Sequence, residues 1–281
     1  MTTTATRLLV LALAACGSPS GDAPDARGPD AHASDAHDSD ASPADSSAAV
    51  ATPPPNAMAD YQLGGDYDPP SGVTVVSRDR TDSPAAGLFN ICYINGFQIQ
   101  PGEESTWTGL ILEDNGAPVV DPDWDEDLID VSTPAKRAAV AAIIGGWIDG
   151  CRANNFDAIE IDNLDSYSRS HDLLTADDNV AAMSLFSARA HAAGLAIAQK
   201  NSAELVPRRA DLGTDFAVAE ECDHYDECDS YTAGYADDVI VIEYERADFT
   251  TGCSAYPQLS IILRDRDLVT PSDSAYVYDG C

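Results

Sequence analysis

The sequence predicts an α/β chain folding as one (β/α)8 barrel, on three observations. Eight short apolar runs recur along residues 57–281, as in strands buried on both faces. Helical periodicity fills several of the gaps between them. Most runs also stop in a charged or amide residue, as barrel strands do where their C-terminal ends open on a site. A doubly wound open sheet is the rival, but no Gly-rich phosphate loop follows the first run.

From the N-terminus, Arg7 precedes the apolar stretch 8–15, which is too short to span a bilayer and fits a signal-peptide core. Leu13-Ala14-Ala15-Cys16 has the form of a bacterial lipobox. It implies a signal peptide over 1–16, cleavage before Cys16 and lipid on the Cys16 sulfur. The expected location is an exported, membrane-anchored lipoprotein at the outer membrane or cell surface. Residues 17–56 are Ala, Asp, Ser, Pro, Gly and His with almost no large apolar side chain. They cannot bury enough surface to offset their ordering entropy and read as a tether. His32 and His37 fall in this acidic run, where a solvated tail is the better reading than a metal site.

The barrel strands are expected at residues 60–63, 73–76, 88–95, 157–161, 195–199, 215–219, 239–242 and 259–263. Two helices are well signalled. Thr133 is an N-cap with Pro134 at the first helical position, and Val140, Ile143, Ile144, Trp147, Ile148 and Cys151 then recur on one face. Thr175 caps the next helix, Asp177 and Asp178 favour its first turn, and Gly194 ends it. Trp147 and Met183 fall on apolar faces and are read as core.

The net charge is −33 over 281 residues, nearly all of it in 57–281. Such a surface disfavours nucleic acid and suits a cationic partner, though charge of this kind often serves solubility alone. Excluding Cys16, six cysteines remain, which in an exported chain allow three disulfides in fifteen pairings. Cys222 with Cys228 closes a small loop, Cys253 with Cys281 ties down the C-terminus, and Cys92 with Cys151 is left by elimination. His224 between Cys222 and Cys228 makes no convincing zinc site in an oxidising compartment.

Asp162, Glu220 and Glu243 stand where three different strands stop, with Asn95, Lys200, Asn201 and Tyr244 at similar positions. Any one of them alone reads as a strand end or a turn cap. Several on one rim point to a wet cleft, since charged groups are costly there unless paired or hydrated. Convergent carboxylates without a nucleophilic Ser–His set suggest glycoside hydrolysis, in which one carboxyl is protonated and another ionised. Close approach separates their pKa values, because like charges resist joint ionisation.

Five ordered motifs then resemble glycoside hydrolase family 114, the endo-α-1,4-polygalactosaminidases. They are Cys92-Tyr93-Ile94, the run from Phe156 through Asp162-Asn163 to Tyr167, Ala190 to Leu195 with Lys200-Asn201, Phe216 to Cys228, and Val241-Ile242-Glu243-Tyr244. The resemblance implies a TIM barrel that cuts wholly or partly deacetylated galactosamine polymers. It implies Asp162 and Glu220 as the catalytic pair, with Glu220 as general acid and Asp162 as nucleophile or base. Asn163, Lys200, Asn201, Glu243, Tyr244, Tyr93 and Asn95 would line the sugar subsites, with Tyr93 and Tyr61 as rings for stacking or as barrel core. No cofactor or metal is expected, and a monomer is. The partner would be a cationic amino-sugar polysaccharide, drawn in by the acidic surface.

Three departures touch the substrate side. The first strand has Asp60-Tyr61-Gln62-Leu63 in place of tryptophans, the second keeps only Asp79 of an acidic pair, and Asn95-Gly96-Phe97-Gln98 lacks the family's glutamate. Asp121 to Asp127 resembles an EF-hand start, but Glu126 stands at the sixth position and Ser132 at the twelfth. A solvated acidic loop is the better reading, with Trp124 as a candidate sugar platform. The competing function is a non-catalytic polysaccharide-binding surface lipoprotein on the same barrel.

Overall fold

A computed structural model describes residues 50–281. The lipobox, Cys16, His32, His37 and the tether up to residue 49 lie outside the described residues. All eight expected strands are present: β1 Ala59–Gln62, β2 Val75–Asp79, β3 Phe89–Asn95, β4 Ala158–Asp162, β5 Ala196–Lys200, β6 Phe216–Glu220, β7 Val239–Glu243 and β8 Ser260–Arg264. They pair in parallel, each with the next in sequence, and wrap into a nearly closed barrel. Most begin and end about a residue later than expected. Asp162, Lys200, Glu220 and Glu243 are therefore last strand residues, held by the ladder.

Among the described residues five α-helices lie outside the sheet: α1 Pro134–Ala153, α2 Ala176–Ala192, α3 Arg209–Leu212, α4 Cys228–Tyr235 and α5 Arg246–Ala255. The two signalled helices start where their caps predict. Thr133 accepts from Lys136 N, and Thr175 forms a capping box with Asp178. Gly194, at φ 75°, follows the end of α2. Loops without an α-helix join β1 to β2 and β2 to β3. The β3–β4 connection carries two small antiparallel hairpins before α1 and builds one rim of the barrel mouth.

Alternation sorts the side chains. Ala59, Tyr61, Val75, Ile91, Ala158, Ala198, Val218, Ile240 and Ile262 fill the barrel interior. Cys92, Ile94, Ile159, Ile161 and Ile197 pack outward against α1 and α2, with Met183 fully buried among them and Trp147 at the edge of that layer. Gly96 is required by close approach, since a Cβ there would stand 2.4 Å from Ile161 Cγ2.

The ring is sealed by an element that no apolar run announces. A ninth strand, β9 Tyr278–Gly280, adds antiparallel to β8. Its Tyr278 hydroxyl donates to Ala59 O at 3.0 Å. Arg264 of β8, fully buried, donates to Tyr61 O and pairs with Asp60 at 3.1 Å. Side chains and a short edge strand thus replace the missing β8–β1 ladder. Residues 50–56, expected to belong to the tether, include a buried Pro53 and a Val50 packed on the barrel's interior cluster. Fixed proline φ angles lower the entropy lost in ordering this stretch.

The six cysteines form Cys92–Cys151, Cys222–Cys228 and Cys253–Cys281. The first ties β3 to α1, the second closes the loop after β6, and the third fastens the C-terminus to α5.

Candidate active site

The site is assembled by register. Asn95 pairs with Asp162, Glu160 with Ala198, and Lys200 with Val218. Lys200 therefore lies one inward-facing layer below Glu220 and level with Asp162, and its long side chain reaches up between them. Its Nζ is 3.3 Å from Asp162 Oδ1 and 3.0 Å from Glu220 Oε2. Glu160, in the layer beneath Asp162, lies 3.7 Å from the same nitrogen. Burial opposes the ammonium, but Asp162, Glu220 and Glu160 outweigh it and keep Lys200 charged well above the ordinary lysine range.

Each acid is further held. Asp162 Oδ2 accepts from the Tyr93 hydroxyl at 2.7 Å. Glu220 Oε2 accepts from Asn201 Nδ2 at 3.0 Å, Glu220 N donates to Asn201 Oδ1 at 2.8 Å, and the Tyr244 hydroxyl donates to Glu220 Oε1. Burial alone would raise the Glu220 pKa. The Lys200 ammonium, then the Tyr244 hydroxyl and Asn201 amide, overturn that and hold it below the ordinary glutamate range. The residues after the last strand positions, Asn163, Asn201 and Glu221, have φ of 64°, 50° and 58°. Asparagine tolerates this left-handed turn. Glu221 is held in it by a bond from its own N to Ile242 O at 2.8 Å and by its ion pair with Arg266.

A second ring of contacts borders the pair. Asn163 Nδ2 donates to Asn95 Oδ1 at 3.0 Å, and Asn95 Nδ2 to Glu126 Oε2 at 2.9 Å. Glu126 is pushed up to about 7 by burial, then by the charges of Asp162 and Asp121 against the Asn95 amide. Arg169 bonds Asn163 Oδ1 at 2.9 Å and pairs with Asp121 at 2.6 Å. The acidic loop's two inner carboxylates are thus engaged by protein, and Trp124 stands 67 % exposed on its hairpin. Among the described residues no group of three or more His, Cys, Asp or Glu side chains is placed to hold a metal.

Of the expected site residues, Asp162, Glu220, Lys200, Asn201, Tyr244 and Tyr93 converge directly, and Asn163 and Asn95 adjoin them. Tyr93 and Tyr61 are buried and serve through their hydroxyls instead of their ring faces. Glu243 does not line the cleft. In β7 it is out of phase with inward-facing Ile242, so it points outward, fully buried, and accepts from Asp223 N at 2.9 Å. Burial, against the Asp223 backbone bond, pushes it up to about 7. Glu160 and Ser77 were missed, although position 160 shares the face of Asp162 by simple alternation.

The fold is a parallel barrel, and two carboxylates converge at the C-terminal ends of β4 and β6. The match to the family model, described as glycoside-hydrolase family GH114, covers residues 40–281. The chain belongs to glycoside hydrolase family 114. No curated relative matches it in sequence. Among solved structures it is similar to Aspergillus fumigatus Ega3 in complex with galactosamine, with 20% identity over 82% of this chain and 97% of that one, TM-score 0.67. It is also similar to the glycoside hydrolase domain of Pseudomonas aeruginosa PelA, with 12% identity over 79% and 98%, TM-score 0.53.

Proposed function

We propose that the chain is an endo-acting hydrolase of α-1,4-linked, galactosamine-containing polysaccharide, with Asp162 as nucleophile and Glu220 as general acid and base. The observation that carries this is one ammonium bridging two acids from different strands, at 3.3 and 3.0 Å. The nearest carboxyl oxygens cannot be further apart than those two distances end to end. So close an approach of the two acids is compatible with the separation of about 5–5.5 Å between carboxyl groups in retaining enzymes. Asp162 attacks the anomeric carbon as Glu220 protonates the departing glycosidic oxygen. Glu220, now a base, takes a proton from water, which attacks the same carbon and releases Asp162.

Glu220, held below the ordinary glutamate range, is ionised in the free enzyme at neutral pH, so the form with a protonated acid is populated on the acid side. The alkaline limb of kcat/KM falls below the ordinary glutamate range, as an apparent value belonging to the coupled pair. Family membership, likeness to a galactosamine-bound protein and the net charge of −33 support a cationic amino sugar as substrate. Three disulfides and the Cys16 lipobox support an exported, lipid-anchored protein at the outer membrane or cell surface.

The test is incubation of the full chain with defined α-1,4-galactosamine and N-acetylgalactosamine oligomers, followed by mass analysis. Internal cleavage of the former is expected. Binding of either without cleavage would instead establish the non-catalytic reading.

A further inference from the structure

Glu160 is the one fully buried carboxylate beneath the catalytic pair, and the reaction as written does not use it. Its Oε1 accepts from the Tyr61 hydroxyl at 2.6 Å and its Oε2 from Ser77 Oγ at 2.7 Å. A phenol has one hydrogen, and this one is given to Glu160. The Tyr61 oxygen is left as an acceptor, and Lys200 Nζ donates to it at 3.2 Å. An ammonium has three hydrogens. Here the three acceptors within bonding distance are Tyr61 from β1, Asp162 from β4 and Glu220 from β6, at 3.2, 3.3 and 3.0 Å.

Resting on the functional reading above, we propose that Glu160 is a positioning residue: by fixing the direction of the Tyr61 hydroxyl it centres the Lys200 ammonium between Asp162 and Glu220. Without that acceptor beneath it, Tyr61 is free to turn its hydrogen toward Lys200. The ammonium then loses its third partner and moves onto one acid, leaving the other unopposed. Burial raises the Glu160 carboxyl above the ordinary glutamate range, against the Lys200 ammonium and the Tyr61 and Ser77 hydroxyls. The titratable groups around Glu160 are Tyr61, Tyr93 (its register partner on β3), Asp162, Lys200 and Glu220.

The experiment measures kcat, KM and the pH profile on a galactosamine oligomer for wild type, Glu160→Met, Glu160→Gln, Tyr61→Phe and the Glu160→Met/Tyr61→Phe double variant. Methionine keeps the volume and removes the acceptor. Glu160→Met and Tyr61→Phe are each expected to lower kcat on the order of 10²-fold with little change in KM. The double variant is expected to be no worse than the poorer single, because both act through one hydroxyl. Glu160→Gln keeps an acceptor for Tyr61 and recovers most of kcat. Glu160→Met also moves the alkaline limb of kcat/KM, to lower pH where the displaced ammonium settles on Glu220 and to higher pH where it settles on Asp162; loss of folded protein alone would not move it.

Wild-type kcat in Glu160→Met, an unmoved limb, or losses that multiply in the double variant would overturn the proposal. If Glu160→Met does not fold, Tyr61→Phe decides it, and an unchanged kcat refutes the relay. A wild type inactive on the oligomer would instead refute the functional reading on which this rests.

Discussion

Lys200→Met tests the electrostatic design of the site. Lys200 has three carboxylates at 3.0, 3.3 and 3.7 Å and is itself 2 % exposed. At an effective dielectric near 20 each attraction is about 5 kcal/mol, much of it offset by desolvation. Removing the cation and leaving its partners buried should destabilise the fold by about 3–5 kcal/mol at neutral pH, or roughly 10 °C in Tm for a domain of this size. The sign with pH follows from linkage. In wild type Glu220 is lowered, so its contribution is present above its unfolded pKa and lost as pH falls through the folded value. In the variant the carboxyls are raised, so the penalty is absent below the unfolded value and grows as pH rises. Thermal denaturation of both proteins at pH 4 and pH 7.5 reads this directly. A deficit that is absent at pH 7.5, or larger at pH 4, would refute the reasoning.

Three further outcomes are expected. Proton NMR of the first-formed sugar product should show the α-anomer, and initial β-anomer would exclude Asp162 as nucleophile. Glu243→Gln should gain on wild type between pH 5 and pH 8 by up to about 3 kcal/mol, because the buried Glu243 carboxyl, raised to about 7, is ionised only at a cost above its unfolded value; urea melts with the same offset at both pH values would contradict this. Replacing Cys92 and Cys151, 59 residues apart, by alanine should lower stability by about 4 kcal/mol on loop entropy, and calorimetry showing an unchanged Tm would count against that estimate.

The barrel was legible because strands buried on both faces leave unbroken apolar runs, and its acids because they interrupt those runs at strand ends. What escaped has physical reasons. Residues 228–235 and 246–255 are short and carry Gly, Ser and Thr, so their helical signal is weak. The sealing strand at 278–280 has three residues and no periodicity to read. Glu243 was placed in the cleft because it ends an apolar run, but its phase, out of step with Ile242, sends it outward. Glu160 reads as an interruption within an otherwise apolar strand, and only the approach of Tyr61, Ser77 and Lys200 from three other strands gives it a use. These are long-range facts, set by barrel stagger and invisible to local pattern.

The most direct measurement is turnover of a defined galactosamine oligomer by folded Asp162→Asn and Glu220→Gln beside wild type. Each variant should lose on the order of 10²–10⁴-fold in kcat, with far-UV circular dichroism unchanged. Either one turning over within tenfold of wild type would contradict the assignment of bond cleavage to these two acids.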